Sequence, residues 1–372
     1  MAGKSRTQGT TTRSRLTFPD RWDLTQLVKD SSVGIDSLLA DLESKVGKLE
    51  AARPTLAPSM PSQDLLALLR LSEEIAQGSS RLGAYVYLRF SQNTKDAEAR
   101  SLKTRVEEQL TGLSNRLLFF ELWWQSVDET NAARLMADAG DLRYHLETIR
   151  RFKPHTLSEP EEKIVNLKNV TGRSAVHTLY DIVTNGFTFT VVVGGKKKTV
   201  NREELMTYVR SPKATVRQAA YQELYRVFAS QRDLLGEIYK TLVNDVKAEN
   251  LGLRRFSAPI ASRNLGNDVP DQAVDVLLAS CAKNADIFQA YFTLKAKICK
   301  IKPMNRYHLY APHRTESKTY KYADAVTMVL DAYRGFSPRL ADLAEHVFQD
   351  RHIDAPTRPG KLGGAYCYSI VP

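Results

Sequence analysis

Cysteine is scarce: Cys281, Cys299 and Cys367 are the only three in 372 residues, and none shows Cys-x-x-Cys spacing. That excludes a disulfide framework and a cysteine-rich zinc site, and the compartment expected is a reducing cytoplasm. No run approaches the roughly 18 apolar residues of a membrane-spanning helix. The opening MAGKSRTQGTTTRSR has no apolar core of the secretory-signal kind. There is no Gly-x-Ser-x-Gly elbow, no Gly-x-x-x-x-Gly-Lys phosphate loop, and no Gly-x-Gly-x-x-Gly after a strand. No repeat of fixed period is present, which removes solenoids.

What is there is ordinary globular composition, 42% hydrophobic and 26% charged. The length suits two or three domains or one large helical body. Net charge is +11. Lys4, Arg6, Arg13 and Arg15 lie in an acid-free, Ser/Thr/Gly-rich start, so residues 1–15 read as a disordered basic tail. Lys196, Lys197 and Lys198 follow Gly194-Gly195 and read as a solvated hairpin tip. A nucleic-acid binder is disfavoured: no basic stripe interleaves with aromatics, and no helix-turn-helix signature stands out.

The dominant period is helical. Leu102, Val106, Leu110, Leu113, Leu117, Phe120 and Trp124 make one face of a long amphipathic helix, with Trp123-Trp124 read as core. Leu65, Leu68, Leu69 and Ile75 predict a shorter helix before it. Val216 through Val246 makes a second long stripe, opened by Ser211-Pro212, with Gly252 placed to help end it. Ala273 through Ile298 makes a third, opened by Pro270-Asp271. Two more cover about 322–334 and 338–349. One segment departs: Phe187 to Val193 is β-branched and aromatic, and a Gly pair leads back to Thr199-Val200. This predicts a hairpin near 187–200, followed by a helix capped by Asn201. The fold class expected is mainly α, with that hairpin and a terminal strand near 364–371.

Candidate chemistry is thin. Among His145, His155, His177, His308, His313, His346 and His352 no two stand four apart, the spacing that puts two imidazoles on one helical face for zinc. His308 and His313 flank Pro312, but no third ligand is evident, and His346 reads as a surface residue. Cys281 and Cys299 read as buried or partly buried small side chains. The residues assign no catalytic group and no metal ligand. The sequence 360–372 begins Gly-rich and turns β-like, and ends on an apolar, strand-like stretch.

These residues resemble the oligoendopeptidase F branch of the M3 (thimet-like) zinc metallopeptidases. The resemblance rests on GKLGGAYC at 360–367, preceded by Ile353-Asp354-Ala355-Pro356 and Arg358-Pro359. Further stretches agree in order: Arg21-Trp22-Asp23-Leu24, Leu157 to Lys163 with Thr171-Gly172, Ser211-Pro212 with Val216 to Tyr221, and Leu309-Tyr310-Ala311-Pro312, where His308 stands in place of the usual acid. The likeness covers about 16–372. It implies hydrolysis of internal bonds of short unfolded peptides by a zinc ion on a His-Glu-x-x-His helix.

That motif is absent from this chain. The expectation is therefore the N-terminal portion of such a peptidase, inactive alone, carrying no zinc itself and partnered by a missing C-terminal catalytic portion. No membrane partner is expected. Residues 16–185 would form an N-terminal helical domain and 186–372 the beginning of the peptidase domain. By resemblance Gly363, Gly364, Ala365 and Tyr366 lie where backbone groups pair with an extended peptide; equally, the two glycines would merely shape a turn. The alternative function is a non-enzymatic helical peptide- or protein-binding module.

Overall fold

A computed structural model describes residues 18–29, 32–313 and 319–370; the basic stretch 1–15 and the last two residues, Val371 and Pro372, lie outside the described residues. Contacts divide the chain into two compact units, Leu27–Arg314 with Arg358–Pro372, and Met1–Gln26 with Thr315–Thr357.

The larger unit opens with helix α1 (Val33–Ala51), whose Ile35, Leu42, Val46 and Leu49 form one buried face. Helices α2 (Ser62–Gln92) and α3 (Ala97–Ser126) follow, 31 and 30 residues long. Four residues join them, a connection that suits antiparallel neighbours. The Asp96 carboxylate accepts the N–H groups of Glu98 and Ala99, which caps α3. The expected stripe of α3 ends in Trp124, which is buried, with its indole N–H donating to the Leu146 carbonyl at 2.9 Å. Around it pack Leu65 and Leu69 of α2, Phe119 and Phe120, Leu135 of α4 (Glu129–Ala137) and Leu146 of α5 (Arg143–Arg151). Each fully buried leucine here contributes roughly 2 kcal/mol.

Helix α6 (Glu159–Asn169) passes through a π turn (Val170–Ser174) into α7 (Ala175–Asn185). Strands β1 (Phe189–Val193) and β2 (Lys196–Val200) then pair antiparallel, with Phe189 opposite Val200 and Val193 opposite Lys196. Gly194 and Gly195 have φ of +58° and +76°. Positive φ at both central positions is what a twist-matched two-residue hairpin turn requires. Lys196, Lys197 and Lys198 are exposed, as a hairpin tip should be. The inner face of the hairpin, Phe189, Val191 and Val200, packs with Leu205 and Val209 of α8 (Arg202–Val209) and Ala220 and Tyr221 of α9 (Ala214–Ser230). Asn201 and Glu204 form the reciprocal cap of α8.

Two expected long helices are broken. The stripe 216–246 divides at Gln231 (φ −113°) into α9 and α10 (Arg232–Val246). Gly252 does not end it, because a further π turn (Lys247–Leu253) carries the chain past that glycine to Arg254. After α11 (Ala261–Gly266), the stripe 273–298 divides at Asn284 (φ −103°) into α12 (Asp271–Lys283) and α13 (Ala285–Ile298). This pair buries almost none of its apolar residues. Val276 is 57% exposed, Leu277 62% and Phe288 58%. Cys281 is likewise exposed, against expectation, because α12 has no covering element among the described residues; Cys299 is partly buried as expected.

The smaller unit holds α14 (Tyr322–Phe336) and α15 (Pro338–Gln349), both where the periodicity put them, with the Ser337 hydroxyl accepting from the Leu340 N–H. The Asp23 N–H donates to the Arg351 carbonyl at 2.8 Å, and Phe18 meets Phe348 edge-on at 5.9 Å. No helix among the described residues is long and apolar enough to cross a membrane. The terminal strand expected near 364–371 is not formed. Residues 364–370 carry no regular structure, because a strand exists only with a ladder partner, and the sheet among the described residues consists of β1 and β2 alone.

A buried charge cluster fastens the middle of the larger unit. Arg254 donates to both oxygens of Glu162, at 2.7 and 2.9 Å, and to Glu249 at 2.8 Å. Glu162 also accepts the Leu157 N–H at 2.9 Å. Burial alone pushes the Glu162 carboxyl up; the bonds from Arg254 and Leu157 more than reverse this and hold it below its ordinary value. A depressed folded pKa gives stability that is present above the unfolded value, about 4.3, and is lost as pH falls through the folded one. Glu162→Gln should cost about 2 kcal/mol at pH 7, since it takes away one of the two carboxylates that pair with the partly buried Arg254 and leaves Glu249 as the other. In urea titrations the gap between variant and parent should narrow below about pH 4. A gap that stays constant down to pH 3 would rule out the ion pair as its origin.

Candidate functional site

The segment 360–368 is laid along the end of α2 and the start of α8. Thr94, fully buried in the turn between α2 and α3, donates to the Gly360 carbonyl from its N–H at 2.7 Å and from its hydroxyl at 2.9 Å. The Leu362 N–H donates to the Ser91 carbonyl at 2.9 Å. The Gly364 N–H donates to Glu203 Oε1 at 3.3 Å. The Tyr366 hydroxyl donates to Ser91 Oγ at 2.8 Å, and the Tyr87 ring lies 6.0 Å from that of Tyr366 and 5.3 Å from that of Tyr368. Burial, and then the neighbouring Tyr366, push the Tyr87 hydroxyl above its ordinary value, so it stays neutral.

The two central glycines have different reasons. Gly364 has φ +89°, a conformation side chains resist. A Cβ on Gly363 would stand 2.6 Å from Glu203 Oε1. That carboxylate is the free end of a flexible side chain and can swing away, but doing so gives up its bond to Gly364. Ala365 and Cys367 make no backbone hydrogen bond among the described residues. One edge of the segment is therefore tied down at 360, 362 and 364, and the backbone groups of Ala365 and Cys367 stay open among the described residues. The four residues expected to meet a peptide, Gly363, Gly364, Ala365 and Tyr366, are consecutive in this stretch. The positive φ calls for glycine at 364, whereas at 363 a side chain would only displace Glu203.

The histidines do not assemble. His308 Nδ1 accepts the Asn305 N–H at 3.1 Å inside its own turn, and burial with the nearby Arg217 guanidinium pushes its imidazole below the ordinary value. His313 Nδ1 lies 3.7 Å from Cys299 Sγ. His155 stacks on Phe256 at 3.7 Å, His352 meets Gln26, and His346 is exposed on α15. Among the described residues no three His, Cys, Asp or Glu side chains are placed to hold a metal ion.

Several stretches that carried the sequence resemblance have evident structural roles. Glu162 is the distal acid of the Leu-Ser-x-x-x-Glu stretch and pairs with Arg254. Thr171-Gly172 sits in the π turn after α6. Arg217, buried on α9, donates to the carbonyls of Ser211, Pro212 and Tyr307 at 2.7, 2.9 and 3.0 Å. The Leu309 carbonyl accepts from the buried Lys295. Sequence reasoning missed Ser91, Thr94 and Glu203, the residues that hold the candidate segment; they are ordinary polar residues of a helix end and a helix start, with no local signal.

Residues 123–189 match the Oligopeptidase F family model. Similarity to curated proteins runs almost the whole length of the chain. It is 22% identical to an oligoendopeptidase F homolog of Lactococcus lactis subsp. lactis, covering 95% of this chain and 59% of that protein. It is also 22% identical to a plasmid-borne oligoendopeptidase F of Lactococcus lactis subsp. cremoris, covering 95% and 60%. The chain is similar to oligoendopeptidase F proteins along nearly its whole length. The fold agrees: the crystal structure of oligoendopeptidase-F from Enterococcus faecium superposes with a TM-score of 0.68 at 16% identity, covering 86% of this chain and 66% of that one. This oligoendopeptidase F-like chain spans about three fifths of the length of the curated relatives it matches.

Gly364→Val should destabilise the larger unit by about 2 kcal/mol, because a β-branched residue resists φ +89°. Hydrogen exchange at the Leu362 N–H should quicken with it. Tyr366→Phe, which removes the hydroxyl that bonds Ser91, should cost about 1 kcal/mol. Unchanged exchange at Leu362 in Gly364→Val would show that the segment is not held as a unit.

Proposed function

We propose that this chain forms one wall of the peptide channel of an oligoendopeptidase F-like metallopeptidase, a cytoplasmic enzyme that hydrolyses internal bonds of short unfolded peptides. The observation that carries the reading is the segment 360–367, anchored through Ser91, Thr94 and Glu203 on one side and, among the described residues, with unpaired backbone at Ala365 and Cys367. An extended peptide adds to such a backbone as a strand adds to a sheet edge. Gly363 and Gly364 bring that backbone close, Ala365 and Tyr366 present it, and Tyr87 and Ser91 hold the Tyr366 ring in place.

The zinc ion that the family implies would supply an activated water. The residues present do not fit it: the sequence has no His-x-x-x-His pair, and the described residues bring no ligand set together. This chain's part is to bind and align the peptide, and the ligands come from polypeptide outside these 372 residues. The exposed apolar pair α12–α13 supports that division. A patch containing Val276, Leu277, Leu278, Ile287, Phe288 and Leu294 is the kind of surface that further polypeptide covers.

The 372-residue chain alone should neither retain an equivalent of zinc through dialysis nor cleave a quenched oligopeptide. Mixed with a separate polypeptide carrying a His-Glu-x-x-His helix from this family, it should form a complex and gain chelator-sensitive cleavage. The decisive measurement is cleavage with and without chelator, for each piece and for the mixture. Zinc-dependent cleavage by the 372 residues alone would overturn the division of labour.

A further inference from the structure

Between Asp286 and Glu316 the chain has no acidic residue, while Lys295, Lys297, Lys300, Lys302 and Arg306 all fall there. Folding sets this stretch against the end of α8 and the face of α9. The Arg210 guanidinium, just past α8, lies over the Tyr310 ring at 5.6 Å. Arg306 lies over the Tyr221 ring at 5.8 Å. Tyr221 in turn stacks with Tyr225 at 6.3 Å and leans on Tyr307 at 5.8 Å. Burial is the main influence on the Tyr221 hydroxyl, followed by Arg306, Tyr310, Tyr225 and Arg210, so these five residues share one neighbourhood. No carboxylate acts on it.

Charge there is unmatched. Arg210, Arg306, Lys297, Lys300 and Lys302 are exposed, and none forms an ion pair among the described residues. Elsewhere the exposed arginines of this unit commonly have carboxylate partners, as Arg70 has Glu73 and Asp141. A guanidinium lying over an aromatic face is held in place by the ring while its N–H groups still point outward in its plane. Arg210 and Arg306 both act on the Tyr221 hydroxyl, so one cluster of rings carries two guanidinia that can each donate to a carboxylate.

We propose that this arginine–tyrosine patch selects acidic side chains in the peptide that the chain binds. The choice of ligand rests on the peptide-binding reading above. Helix α8 links the two places: Glu203 at its start touches Gly363 and Gly364, and Arg210 follows its last turn. Seven residues of helix span about 10 Å, which is about three residues of extended peptide. A peptide that pairs with 363–366 and runs along α8 has Arg210 within reach of side chains a few positions away, and Arg306 shares the Tyr221 cluster with Arg210. The patch acts on binding and places no group at a reacting bond.

The test uses the 372-residue chain and fluorescence anisotropy with two labelled octapeptides, one holding three glutamates and the other three glutamines at the same positions. The glutamate peptide should bind about tenfold tighter at low salt, and the advantage should shrink as salt rises. Arg210→Gln with Arg306→Gln should erase the advantage and leave the glutamine peptide's affinity unchanged. Replacing Lys196, Lys197 and Lys198 by glutamine, at the hairpin tip, should preserve it. Equal affinities in the parent overturn the proposal, as does an advantage that survives the double variant or vanishes with the hairpin lysines. An eight-nucleotide oligothymidine that binds tighter than the glutamate peptide and is lost in the double variant assigns the patch to nucleic acid and also overturns it. Strand pairing is read separately: Gly364→Val should weaken the glutamine peptide. If it does not, while the arginine-dependent advantage remains, the pairing account fails and acidic selection stands.

Discussion

Thr94 sits with no solvent exposure in the turn that joins two thirty-residue helices, and both of its donors go to the carbonyl of Gly360. Either bond alone is modest, near 1 kcal/mol net. Their importance is positional. The turn is short, α2 and α3 pack along much of their length, and Asp96 and Arg100 close it by bonding within it. Whatever is attached to Thr94 inherits the rigidity of the helical pair. The candidate segment is attached there, at Ser91, and at Glu203, so three fixed points define its path over five residues.

The stretches that mark the family belong to this scaffold. Glu162 satisfies the Leu157 N–H and neutralises Arg254, and so joins the start of α6 to the end of the π turn after α10. Arg217 collects three carbonyls from two segments that would otherwise leave them unpaired. Such residues tolerate little change because each satisfies several buried groups at once.

Surface character divides along the larger unit. The α2–α5 region buries its aromatic residues around Trp124, whereas α12 and α13 turn leucine, isoleucine and phenylalanine outward. The tyrosines and arginines near α9 form a third kind of surface, polar at its edge and held by stacking. A packed body, an apolar face and a cationic cluster thus occur on one unit.

Local physical chemistry made several elements legible in advance. The Gly194-Gly195 pair between β-branched runs can close only a tight hairpin, and Asn201 with Glu204 can only start a helix there, because both signals act within four residues. The α3 stripe and its buried Trp124 follow from a sustained 3.6 period. Breaks at Gln231 and Asn284 were not legible, since no proline marks them and the apolar spacing runs straight through. Nor was the exposure of Val276 and Phe288, because periodicity says which residues share a face and not what covers it. Ser91, Thr94 and Glu203 are far from Gly360 and Gly363 in sequence, by more than 150 residues, and carry no motif. Sequence alone determined the helical class, the hairpin and the family resemblance, through short-range signals and ordered motifs. Which side chains hold the candidate segment, and which arginines and tyrosines meet, was decided only by tertiary packing, because those pairings depend on distances that no local pattern encodes.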